Sequence, residues 1–267
     1  MSDLFERGFD TLEVRRDDDL LWVTLDNPAK ANAISPRMLD EITAVYRTPL
    51  RDSGIRAVLL RGAGRHFSAG ADLAHLESLR QAGPEDNRRD SERMRAFFAA
   101  VLYQDALTVA LVHGSCVAGG CGLATAHDYV VASRDARFMY SEVRIGFVAA
   151  LVATFLPLRV KGRDLRELLL DPRFISAERA FEIGLVNRVV DEGELEAAGT
   201  ELVAGILERA SSESIARTKR LLLETVGLPL AEALERAAQR NAEARATEDC
   251  RHGISTFLET KQPPAWR

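Results

Sequence analysis

The sequence is sparing with the residues that mark several protein classes. It has three cysteines, Cys116, Cys121 and Cys250, and this odd count has no ladder of spacings. That excludes a disulfide framework as the organising principle and suggests a reducing, cytoplasmic setting. Aromatic residues make up only 6% of the chain, with two tryptophans. There is no excess of positive charge: the formal net charge is −5, which argues against a general nucleic-acid surface. No apolar run is long enough to span a bilayer, and Met1–Asp10, with Asp3, Glu6 and Asp10, has no secretory h-region. The longest apolar stretch, Ile145–Leu158, reads as a buried helix.

What remains is an ordinary globular composition, 46% apolar and 28% charged over 267 residues, enough to bury a full core. Leu20–Leu25, Arg56–Arg61, Leu107–Val112, Tyr129–Ala132 and Leu185–Val190 read as strands. Ser35-Pro36 starts a helix that carries Met38, Leu39, Ile42 and Val45 at helical spacing. Gln81–Asp90 reads as a polar surface loop leading into a helix over Ser91–Tyr103. Strands alternating with helices imply an α/β domain. After Glu192 the texture turns helical, so the boundary falls near Asp191: an α/β core over 1–191 and a helical part over 192–267.

Three segments can carry chemistry. In His66-Phe67-Ser68-Ala69-Gly70-Ala71-Asp72-Leu73, small residues let a ligand approach the main chain and Gly70 permits an unusual dihedral. Taken alone, the segment is more simply read as a tight strand-to-helix turn. In Val112–Ala124 a strand enters the cluster Gly119-Gly120-Cys121-Gly122, which opens a helix with unpaired N-terminal amides suited to an anion or oxyanion. The dinucleotide pattern G-x-G-x-x-G/A fails there, because Thr125 and Cys121 occupy required positions. In Ala136–Phe147, Glu142 stands in an apolar neighbourhood, either as an acid/base or as the ion-pair partner of Arg144. Tyr140 and His127 read as satisfied structural residues.

Taken in order, these segments resemble the enoyl-CoA hydratase/isomerase (crotonase) superfamily. The resemblance runs from about Leu20 to Phe257. It rests also on Asn27-Pro28-Ala29-Lys30-Ala31-Asn32-Ala33 and on Ile175-Ser176-Ala177-Glu178-Arg179-Ala180 with Gly184-Leu185-Val186. It implies a crotonase-like (ClpP/crotonase) spiral of ββα units with a helical C-terminal part for oligomerisation, and a lyase acting on an acyl-CoA. The implied oxyanion hole falls on the N–H groups of Ala71 and Gly119, and the catalytic glutamate on Glu142. The implied CoA and substrate contacts fall on Lys30, Ala31, Ala69, Asp72, Leu73 and Gly120.

One departure is clear: the other family glutamate falls on Gly122. Hydration of a 2-enoyl-CoA needs a base for water and an acid for the α-carbon, whereas moving a double bond from the 3 to the 2 position needs one proton shuttle. Hydratase is the expected activity, with a 3,2-enoyl-CoA isomerase as alternative. A non-catalytic CoA-binding or RNA-associated member is a further one. A second departure, Phe147-Val148-Ala149-Ala150-Leu151-Val152, replaces a glycine-rich loop and makes the acyl pocket narrower and more apolar. No metal and no cofactor apart from substrate CoA are implied. The expected assembly is a homo-oligomer, a trimer or dimer of trimers, with no nucleic acid or membrane partner.

Overall fold

A computed structural model describes residues 8–266, so the reading of Met1–Asp10 falls mostly outside the described residues. The main sheet has six strands in the order β1-β2-β3-β4-β6-β9. These are β1 (Leu12–Asp17), β2 (Leu20–Leu25), β3 (Ala57–Gly62), β4 (Leu107–Val112), β6 (Tyr129–Ser133) and β9 (Arg188–Val190). β1 and β2 form an antiparallel hairpin; every later neighbour is parallel. A small second sheet joins β5 (Ser115–Val117), β7 (Arg137–Met139) and β8 (Ile175–Ser176).

The continuous apolar runs in β3, β4 and β6 arise because both faces of these strands are covered. Side chains alternate across the sheet. Val58, Leu60, Ala110, Val112, Val130 and Ala132 enter one core. Leu59, Val109, Leu111 and Val131 enter the other. The first core is filled from α1 (Pro36–Arg47) and α3 (Pro84–Leu102), and from α4 (Gly119–Ala126), among others. The second is closed by α8 (Leu195–Arg209), the first α-helix after Asp191, through Leu195, Leu202, Val203 and Leu207. Beyond it stand α9 (Ser212–Glu224), α10 (Leu230–Arg245) and α11 (Glu248–Thr260). Among the described residues no helix is long and apolar enough to cross a membrane.

Several expectations need correction. The loop expected over Gln81–Asp90 is largely helix, because α3 starts at Pro84, with Gly83 as its N-cap. Proline at the first helical position and the acids Glu85 and Asp86 in the first turn favour that start. The pairs Glu85–Arg88, Asp86–Arg89 and Glu92–Arg95 then lace its exposed face at i,i+3. The stretch Ile145–Leu158 is not a buried helix. It breaks at Gly146, which takes φ 73°, and contributes only the short α5 (Val152–Phe155) and a 3-10 turn over Leu156–Leu158. Val152, Phe155 and Leu156 are buried, while Ile145, Phe147 and Val148 face solvent. The strand expected from Leu185 begins only at Arg188. Helix α1 follows the sequence closely: the Ser35 hydroxyl accepts from Met38 N–H, and Met38, Leu39, Ile42 and Val45 are all buried.

Candidate active site

The loop before α2 (Leu73–Arg80), the entry to α4 and the strand before Glu142 are tied together through their main chains. Ser68 N–H donates to Ser115 O at 3.2 Å, and Ser68 O accepts Val117 N–H at 2.9 Å. On the other side of β5, β7 pairs in parallel, and Ala118 N–H donates to Met139 O at 2.8 Å. The segment leading to Gly119 is thus clamped between the other two, with Glu142 three residues beyond Met139.

The amide directions follow from this pairing. Ile34 N–H donates to Gly70 O at 2.7 Å and Asp72 N–H to Ile34 O at 3.2 Å. In such a parallel bridge the intervening N–H, that of Ala71, points to the opposite side, and Ala71 is exposed. Gly119 starts α4, so its N–H has no preceding turn to bond. Among the described residues neither amide donates to a protein acceptor. The two segments touch: a Cβ on Gly70, which adopts φ 86°, would lie 2.8 Å from Val117 O and 3.5 Å from Gly119 N. Only glycine fits both the dihedral and the space there. Gly120 packs as closely, since a Cβ would meet Ser68 Cβ at 2.8 Å.

Three residues that sequence reasoning did not single out build this turn. Ala118 holds φ 47° and ψ −120° immediately before Gly119, a conformation costly for a side-chain-bearing residue and one that re-aims the next amide. The buried Ser68 hydroxyl donates to Asn32 O at 2.8 Å and accepts Gly70 N–H at 3.2 Å. Buried Asn32, with φ 52°, accepts Asn27 N–H and donates to Ala63 O and His66 O. Asn32 lies within the Asn27–Ala33 motif, Ser68 within His66–Leu73 and Ala118 within Val112–Ala124, but nothing in the sequence marks the hydroxyl bond or the dihedral.

Glu142 begins a 3-10 turn over Glu142–Ile145. It is partly buried, and its Oε2 is enclosed without a hydrogen-bond partner. Burial pushes its carboxyl above the ordinary glutamate value, against the opposing pull of hydrogen bonds from its own and Ser141 N–H groups. The ion pair expected as an alternative role does not form: Arg144 instead places Nη1 3.9 Å from Met139 Sδ. The position of the absent glutamate is filled. A Cβ on Gly122 would meet Val152 Cγ2 at 2.7 Å and Phe98 Cζ at 2.9 Å.

The remaining expected contacts form a second group. Asp72 caps α2, its Oδ1 accepting from Ala74 and His75 N–H, while Oδ2 takes Lys30 Nζ at 2.9 Å. The Lys30 ammonium, more than the cap bonds, holds the Asp72 carboxyl below the ordinary range. Ala31, at φ 49°, accepts Ala69 N–H on its carbonyl at 2.8 Å. Leu73 is 80% exposed, unusual for a leucine flanking a packed turn. Tyr140 and His127 are buried with local partners: Tyr140 Oη lies 3.3 Å from Thr125 Oγ1, and His127 bonds Leu123 O and Tyr46 Oη.

The family described as enoyl-CoA hydratase/isomerase matches residues 15–267. The chain belongs to that family. A provisionally named enoyl-CoA hydratase of Thermus thermophilus is 41% identical over 91% of this chain and 95% of that protein. The mitochondrial Delta(3,5)-Delta(2,4)-dienoyl-CoA isomerase of Homo sapiens is 31% identical over 91% of this chain and 77% of its own. Among solved structures, an enoyl-CoA hydratase of Mycobacterium smegmatis superposes with a TM-score of 0.87. It is 30% identical and covers 96% of this chain and 98% of its own. The two sheets followed by C-terminal helices are therefore the α/β crotonase fold of the enoyl-CoA hydratase/isomerase family, as the sequence implied. Hydratases and an isomerase both stand among these relatives.

Proposed function

We propose that the protein is an enoyl-CoA hydratase. In this reading the Ala71 and Gly119 amides hold the thioester oxygen of a 2-enoyl-CoA, and Glu142 is the single acid and base. As water adds to the β-carbon, Glu142 takes its proton and the π electrons move onto the carbonyl oxygen as an enolate. Two fixed N–H dipoles stabilise that charge, each by about 3 kcal/mol. Return of the proton to the α-carbon completes addition and regenerates the carboxylate. The observation that carries the reading is the Glu142 Oε2, enclosed and without a protein partner, on an acid whose burial strengthens it as a base. Lys30 is exposed beside Asp72, and we assign it with Ala31, Ala69, Leu73 and Gly120 to the CoA side.

A 3,2-enoyl-CoA isomerase is the second reading, favoured by the packing of Val152 and Phe98 into the space at Gly122. With no room for a second carboxylate, one glutamate that removes a proton from C2 and returns it at C4 suffices. Crotonyl-CoA and 3-hexenoyl-CoA, followed by absorbance of the conjugated thioester, separate the two. The expected result is loss of conjugation with crotonyl-CoA. Glu142→Gln is expected to lower that rate by about 10³-fold with the fold intact; unchanged turnover would remove Glu142 from the chemistry. Gain of conjugation from 3-hexenoyl-CoA alone would establish the isomerase.

We also propose a homo-oligomer, a trimer or a pair of trimers, formed through α9–α11. Leu222, Leu230, Leu234, Ile254, Phe257 and Leu258 on these helices are all exposed in the single chain, an apolar surface of the kind that marks association.

A further inference from the structure

Beside Glu142 the chain presents an apolar hood. The 3-10 turn that begins at Glu142 ends on Gly146, and Phe147 N–H returns to donate to Glu142 O at 3.0 Å. Ile145, Phe147 and Val148 are 70, 62 and 66% exposed. Leu73, two residues after Ala71, is exposed as well. A cluster of large hydrocarbon side chains left open to water is costly unless something apolar covers it.

The space at Gly122 is closed. Space around the Gly119 Cα is open, the nearest atom to a Cβ there being Ile34 Cδ1 at 3.9 Å. One helical turn further, roughly 4.5 Å along α4, Val152 and Phe98 crowd Gly122. Phe98 in turn packs against Phe155, the rings tilted at 50° with centroids 5.4 Å apart. An acyl chain whose carbonyl sits at Gly119 would find the Gly122 side filled, and the exposed residues after Glu142 are the apolar surface left to it. From Ile145 to Leu158 no residue carries a charge. The cation before the hood, Arg144, lies against Met139 Sδ, and the one after it, Arg159, donates Nε to Thr125 O at 2.7 Å.

We infer that the acyl group accepted by this site is an uncharged hydrocarbon, laid against Ile145, Phe147 and Val148 and stopped by the Phe98–Val152 wall, with carboxylated acyl groups rejected. This rests on the proposed acyl-CoA chemistry for the site, but not on its turnover. A terminal carboxylate brought onto the hood would lose water on a surface with no cation of its own between Ile145 and Leu158, which is unfavourable.

Equilibrium binding of hexanoyl-CoA and adipyl-CoA to the purified protein tests it. The two share CoA and carbon count and differ only in the terminal carboxylate, and neither carries the reactive double bond. Hexanoyl-CoA is expected to bind at least about tenfold more tightly. In Phe147→Ser/Val148→Ser that ratio is expected to approach one while free CoA binds as before. Equal affinities in the wild-type protein would overturn the inference. So would a double variant that changes oligomeric state and keeps the full preference, since a second copy of the chain would then be what covers the hood. A wild-type protein that keeps the preference but turns over no enoyl-CoA would sink the role of Glu142 and uphold the acyl assignment.

Discussion

His127 is fully buried, its Nε2 2.7 Å from Tyr46 Oη and its Nδ1 2.8 Å from Leu123 O. Since a carbonyl can only accept, Nδ1 carries the proton and Nε2 accepts from the tyrosine. Burial outweighs the Leu123 bond and pushes the imidazole down to about 4. The unfolded chain therefore takes up a proton that the folded chain refuses between the ordinary histidine value and that figure. Stability contributed by this group is complete above that window and falls as pH drops through it, by roughly 3 kcal/mol in all. Urea unfolding at pH 7 and pH 4 is expected to show this loss, and His127→Gln to remove that part of it. At this scale the sequence was informative where chemistry fixes residue type. Glu142 and the glycines at 70 and 119 are residue types this chemistry favours, yet each also admits a structural role and only the order of the three segments sets them apart; His127 and Tyr140 are the structural residues expected. Ser68 and Ala118 were not legible, because a serine hydroxyl or an alanine dihedral acquires its role only from partners far along the chain. The alternative pairing of Glu142 with Arg144 does not form for a related reason: proximity in sequence did not bring the two charges together.

Among the elements, the turn joining β5 to α4 is the most constrained. Ala118 holds φ 47° and ψ −120° there, a region that glycine enters without steric cost. Ala118→Gly is expected to raise stability by about 1 kcal/mol, read as a higher denaturant midpoint at unchanged slope. The long parallel strands were legible because burial on both faces writes an unbroken apolar run into each. The second sheet was not. Strands of two or three residues, such as Ile175–Ser176 and Arg137–Met139, are too short to display a period. β1, Leu-Glu-Val-Arg-Arg-Asp, lies at the sheet edge with its charges in water, where alternation is masked. The first turns of α3 looked like a loop because Gly83-Pro84 serves equally as a breaker and as a helix start.

For the molecule as a whole, the apolar side chains exposed on α9–α11 set an expectation for assembly. Sedimentation is expected to give a multiple of the single-chain mass, and Leu230→Glu/Leu234→Glu to shift it toward the single chain. A double variant that sediments as the wild type would place the contact elsewhere. The second whole-molecule expectation concerns how distant parts of the chain share one space. A side chain at position 122 meets Phe98 from α3 and Val152 from α5. Gly122→Ala is therefore expected to cost about 2 kcal/mol through overpacking, and Val152→Ala to recover part of that cost in the double variant.

The crowding at Gly122 also constrains history. A lineage carrying this arrangement cannot place a carboxylate at 122 in one step, because the newcomer would arrive in occupied territory. Residue 152 has to shrink or withdraw first, while it still serves the hydrophobic interior, so the order of substitutions matters as much as their identity. The glycine thus works as a ratchet, holding position 122 against any larger residue until its neighbours give way.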